Sequence, residues 1–315
     1  MRFKVWIAVF TIGLVTGVAL SPADAAPIAQ ETYASAEDAA SALAAAAKSQ
    51  KNAALDAVLG PNGQKLVSSG DRVADADAQQ RFAAAYEEKH VLTPDGPDKF
   101  ELSVGNNDWT LPIPIVRKGG RWSFDTAAGA QQIIDRRIGR DELRAIRVLL
   151  TYVEAQKDYF DRAKQQTGTG AYAERLISTP GHEDGLYWPD TTGGAESPLA
   201  PLVAQAASEG YPTDFGVARM KPEPYQGYYF RVLKAQGDDA PGGAKNYVES
   251  GHMTAGFALI AWPASYRSSG VMTFLVGPDG VVFQKDLGPD TERLASGTTR
   301  FDPDLSWTRV EVTNQ

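Results

Sequence analysis

The residues best placed to do chemistry lie in Gly181–Pro189, which reads Gly-His-Glu-Asp-Gly-Leu-Tyr-Trp-Pro. The stretch gathers an imidazole, two carboxylates and two large aromatic rings inside a region rich in Pro, Gly and Asp. Long ordered loops in compact domains are often binding elements, so His182, Glu183, Asp184, Tyr187 and Trp188 are candidate ligand contacts. Packing competes with that use. Aromatic side chains serve cores first, and pegging the loop onto a sheet is the favoured role for Tyr187 and Trp188. Tyr229 is a sixth candidate. Alternate residues of a strand point to opposite faces, which sends Tyr228 and Phe230 to a core and leaves Tyr229 outside, where it offers an aromatic platform to a glycan or peptide.

No further set of residues carries a mechanism. His90 follows a helix and suits its C-terminus. His252 lies in Glu249-Ser250-Gly251-His252, but a nucleophile and its base need facing side chains and an orienting acid, so this is read as a turn. Asp71, Asp75 and Asp77, and the pair Asp238 and Asp239, lack the spacing of a calcium loop and read as solvated acids. A nucleophile elbow, P-loop, dinucleotide fingerprint or zinc-protease helix is absent. No catalytic residue, metal or cofactor is therefore assigned.

Composition narrows the class. The 315 residues include no cysteine, which excludes disulfides, thiol catalysis and thiolate metal sites. With 43% hydrophobic residues the chain has the material for a core without staples. A formal charge of −8 with no basic cluster argues against nucleic acid and anionic lipid as partners. Met1-Arg2-Phe3-Lys4, the apolar run Val5–Leu20 and the triplet Ala23-Asp24-Ala25 read as a signal peptide, 1–25, cleaved after Ala25. The mature protein is then periplasmic or secreted and not an integral membrane protein.

The elements that must position these residues follow in order. Ser35, with Asp38 three residues on, starts an alanine-rich helix running to Ser49. A second helix, Asn52–Leu59, stops at Gly60-Pro61-Asn62-Gly63, and a third spans Asp77–Lys89. Extended segments follow at Phe100–Val104, Trp109–Arg117 and Arg121–Asp125. Pro112 and Pro114 restrict the middle one to an edge or a bulge. The strongest amphipathic helix is Arg140–Gln165. Strands return at Tyr225–Ala235, Phe257–Ala264, Val271–Val276 and Val281–Lys285, the last two joined as a hairpin by Gly277-Pro278-Asp279-Gly280. The fold class is α+β in two domains. Residues 31–130 form helices plus an antiparallel sheet, and residues 135–315 form a long helix packed on a second antiparallel sheet.

Several blocks carry a family resemblance: Asp108–Pro114, Gly120–Asp125, Arg136–Gly139, Asp184–Pro189, Gly256–Pro263 and Gly280–Asp290. Over nearly its whole length the chain resembles the bacterial domain-of-unknown-function family twenty-nine-fifty, which implies no activity and transfers no catalytic residue. Within the second domain, Asp141–Tyr159, Gly227–Phe230 and the Gly270–Gly288 hairpin resemble the soluble helix and sheet of a type IV pilin or pseudopilin. A pilin carries its membrane segment directly before that helix. Here Asp135, Arg136, Arg137 and Arg140 stand in its place and cannot sit in a bilayer. The first domain is similar in element order to the nuclear transport factor two-like cone. These resemblances imply a non-enzymatic, pilin-like binding module acting on another envelope or secreted component, a protein among the candidates. The alternative is a periplasmic hydrolase with a small-ligand cavity near His182 or near Trp109 and Trp122.

Overall fold

The computed structural model describes residues 29–189, 196–212 and 223–311, and the expected signal peptide lies outside the described residues. The chain is α+β. Its first half opens with α1 (Ala36–Ser49), α2 (Asn52–Leu59), the single turn α3 (Gln64–Val67) and α4 (Arg72–Glu88). The capping box forms as its spacing predicts: Ser35 Oγ accepts the Asp38 amide at 3.0 Å, and Asp38 Oδ2 accepts the Ser35 amide at 3.1 Å. Ala39, Ala40, Leu43 and Ala47 then face inward at helical spacing. α4 begins five residues before its expected start, because Asp71 caps it by accepting the Val73 and Ala74 amides.

Five antiparallel strands follow: β1 (His90–Pro94), β2 (Lys99–Val104), β3 (Trp109–Thr110), β4 (Ile115–Lys118) and β5 (Arg121–Phe124). Their order is β1-β2-β4-β5, with β3 also paired to β2. The prolines produce a break instead of an edge. Pro112 and Pro114 fall between β3 and β4, where no ladder donor is needed.

α5 (Thr126–Thr167) is a 42-residue helix that starts directly after β5, fourteen residues before its expected start. The expected boundary between residues 130 and 135 therefore lies inside it. Gly129 explains how its first turns dock: a Cβ there would stand 2.0 Å from the Pro112 carbonyl oxygen, so only glycine permits the approach. Ile133 packs on the first core, while Ala145, Leu149, Tyr152 and Val153 enter the second.

After α6 (Ala200–Ser208) comes the second sheet. β6 (Tyr228–Leu233) is followed by two short ribbons, β7 (Ala235–Gln236) with β8 (Lys245–Asn246) and β9 (Val248–Glu249) with β10 (His252–Met253). Then come β11 (Ala258–Pro263), β12 (Met272–Val276), β13 (Val282–Asp286), α7 (Thr291–Gly297) and β14 (Thr308–Arg309). The antiparallel order is β14-β13-β12-β11-β6. The β12–β13 turn closes through a bond from the Gly280 amide to the Gly277 carbonyl, with Gly280 at φ +75°. Because β14 pairs with β13, the hairpin lies within the sheet and not at its edge. β11 is buried along its length. α5 and α7 both pack on this sheet, so Tyr229 and Phe230 are both half-buried and only Tyr228 is fully buried. Among the described residues no helix is long and apolar enough to cross a membrane.

Candidate functional site

The loop at 181–189 is fastened by hydrogen bonds to neighbouring residues and by the burial of Leu186 and Trp188. Asp184 accepts the Thr179 amide at 2.6 Å and the Thr179 hydroxyl at 2.7 Å, with Arg175 at 3.6 Å. Burial works to raise its pKa, but the Thr179 bonds and Arg175 outweigh it, and the carboxyl is held below its ordinary value. The backbone carbonyl of Glu183 accepts the Tyr159 hydroxyl at 2.8 Å. Trp188 is buried between the Tyr159 ring and the Arg162 guanidinium, which lies 5.3 Å from its centroid. Leu186 is fully buried, Tyr187 packs half-buried on the same core, and His182 and Glu183 are exposed. Tyr229 lies elsewhere, on β6, tilted against Trp262 with ring centroids 5.6 Å apart. None of these six residues lines the cavity described next. Among the described residues, no group of three His, Cys, Asp or Glu side chains is arranged to hold a metal.

A cavity of about 480 Å³ opens between α1, α2, α4, β2 and the first turns of α5. Leu43, Leu55, Leu59, Val104, Leu111 and Ile113 make an apolar floor. The space exists because the covering faces carry small residues, Ala47 on α1 and Ala74, Ala78 and Ala85 on α4, where larger side chains would fill the gap. Trp109, 37% exposed, stands on the rim. Phe82 lies edge-on to it, and the Arg136 guanidinium is 5.9 Å from its ring centroid.

The rim is charged. Asp75 accepts the Ser69 amide at 2.9 Å, and burial outweighs that bond to raise its pKa. Asp141, 3% exposed, is pushed up to about 6 by desolvation, with Arg140, Arg144 and Arg137 pulling it back. Arg140 reaches Asp141 Oδ1 at 3.2 Å, and Arg81 pairs with Asp77. A smaller polar recess of about 110 Å³ adjoins the cavity. It shares Arg81 and Arg140 with it and adds Arg144, Asp77, Glu209, Tyr211 and Gln226.

Two buried groups hold this frame against the second sheet. Arg137 donates to the carbonyls of Lys65 (2.8 Å), Leu66 (3.1 Å) and Ser268 (2.9 Å). Asp71, 2% exposed, caps α4 with one oxygen and accepts the Tyr211 hydroxyl (2.7 Å) and the Gly227 amide (2.9 Å) with the other. Burial and that carboxylate drive the Tyr211 pKa far up, so the phenol stays a donor.

Sequence reasoning named Trp109 as one place for a cavity and read Asp75 as a solvated acid, but it passed over the other lining residues because alanines and arginines mark no motif. One signal was available: Arg136, Arg140 and Arg144 recur every four residues, which puts them on one face of a helix. With Arg136 and Arg140 read as charges that exclude a bilayer and Arg144 as part of the polar side of an amphipathic helix, they gave no hint of a rim. A family model described as "Protein of unknown function (DUF2950)" matches residues 30–310. No curated protein and no solved structure matches the chain.

Proposed function

Because the chain belongs to the DUF2950 family, whose description transfers no activity, we propose a function from the cavity itself: the protein is a secreted or periplasmic binding module for a small, largely apolar ligand. One observation carries this reading. A space of about 480 Å³ falls in the size range of ligand pockets, with an apolar floor and a few polar groups at the rim. Binding requires no helix or sheet to open, since the floor is already lined and the rim is accessible at Trp109. The envelope location rests on residues 1–25; recovery of a protein beginning at Ala26 from the periplasm would support it, and an intact Met1 would remove it.

The direct test is titration with the neutral fluorescent probe N-phenyl-1-naphthylamine. Wild type should enhance its emission with saturation, and Ala78→Trp, which fills the cavity from an exposed helix position, should not. Equal binding by both proteins, or by neither, sinks the reading.

The second reading, a hydrolase, is favoured by the two desolvated carboxylates, Asp75 and Asp141, on the same cavity wall. It predicts turnover of an apolar ester or amide that Asp141→Asn abolishes. A full panel without turnover discards it and leaves the binding module.

A further inference from the structure

We propose that the ligand is an amphipathic carboxylate, an aliphatic or aromatic acid whose body fills the cavity and whose head is held by the arginines of α5; this rests on the cavity being a binding site. Arg136 and Arg140 line the cavity, Arg140 and Arg144 line the adjoining recess, and Arg81 of α4 lines both. Arg81 and Arg140 therefore stand at the seam between the apolar space and the polar recess, with Arg136 on the cavity side and Arg144 on the recess side. Like charges four apart on a helix repel each other, so local helix physics works against this ladder. Arg81 registers the crowding: burial first, and then Arg140 and Arg144, depress its pKa.

The nearby acids offset only part of the ladder. Asp77 is engaged by Arg81 and Asp141 by Arg140. Glu209, bonded by the side-chain amides of Gln205 and Gln226, acts on Arg81, and Asp75, which accepts the Ser69 amide, acts on Arg137. Among the described residues, Arg136 and Arg144 form no ion pair: Arg136 makes one long bond to the Thr110 carbonyl (3.4 Å) beside Trp109, and Arg144 acts on Asp141 only at longer range. Arg137, between them in sequence, is different, since its donors are taken by backbone carbonyls. The charge left over is thus that of Arg136 on the cavity side and of Arg144 on the recess side, and the planar fork of either matches a carboxylate. The floor supplies the second half of the recognition. A small, fully polar anion would leave the leucines and Ile113 without a partner, whereas a chain attached to the head covers them.

The test is displacement of N-phenyl-1-naphthylamine by dodecanoate, dodecanol and dodecyl phosphate, each below its micellar concentration. Dodecanoate should displace the probe at a concentration about tenfold lower than dodecanol, the size expected of about one net charge-assisted bond. Added salt should shrink that advantage. The double variant Arg136→Gln, Arg144→Gln should remove it and leave dodecanol unchanged. Both side chains reach solvent, and circular dichroism checks the fold. If acid and alcohol displace alike, or the preference survives in the variant, the anionic head is wrong while probe binding keeps the cavity reading. If dodecyl phosphate displaces the probe at lower concentration than dodecanoate, the carboxylate assignment is replaced by a phosphate head. If no probe binds, both readings fall together.

Discussion

The loop at 181–189 and the cavity beneath α4 use polar residues in opposite ways. In the loop, acids and aromatics close on neighbours a few residues away or on the adjacent turn of α5: Asp184 on Thr179, Trp188 against Tyr159 and Arg162. Around the cavity, acids and arginines converge from segments far apart in the chain and leave space between them. A region dense in reactive residue types is thus a fastened surface element. A region of alanines, leucines and repeated arginines encloses the volume. Side-chain chemistry marks what a segment can do, but a site also needs room beside the groups that act.

Three experiments would break or sharpen that contrast. The largest effect should come from Asp71→Ala. It removes a helix cap and leaves the Tyr211 hydroxyl and Gly227 amide without their acceptor, at a cost of about 4 kcal/mol in urea unfolding. A loss under about 1 kcal/mol would mean that the cavity frame does not depend on this anchor.

Next come two substitutions within the loop. Trp188→Ala should cost about 3 kcal/mol, as expected for a buried aromatic, and His182→Ala less than about 0.5 kcal/mol. Neither should change probe binding at the cavity. If His182→Ala instead abolished binding of a natural partner with the fold intact, the loop would return as the functional element and the contrast would reverse.

The most specific effect concerns pH. Asp141 has a folded pKa of about 6 against 3.8, so the folded state holds its proton more tightly. Its contribution to stability is therefore favourable at low pH and declines as pH rises between those values. Asp141→Asn should gain on wild type across that window, reaching about 3 kcal/mol near neutrality, and the gap should then level off. Asp184 has the reverse sign. Its depressed pKa gives a contribution present above 3.8 and lost as pH falls through the lower folded value. Asp184→Ala should thus lose its deficit in acid. A gap for Asp141→Asn that is flat with pH, measured by denaturant titration at each pH, would show that its carboxyl is not desolvated.

Much of the fold was legible because its signals are local. Ser35 and Asp38 set the start of α1, Gly60 stops α2, and Gly277–Gly280 closes the hairpin, each by contacts within a few residues. The errors have physical causes as well. The start of α5 lacks an apolar stripe, and its first turns are held by Gly129 against Pro112 and by Arg137 across to Ser268. β1 begins with His90 at the end of a helix and ends in Pro94, so it carries no alternating pattern. α7 is short, and Arg231 of β6 secures its C-terminal carbonyls.

The sequence by itself determined the α+β class, the caps and turns, the family, and an inventory of reactive side chains, since these depend on residue type and short spacing. Only the tertiary structure decided which groups stand beside an open space. Asp71 finds Gly227 across 156 positions, and Arg137 finds Ser268 across 131. A cavity is the volume that such distant contacts leave unfilled, and no stretch of residues encodes it alone.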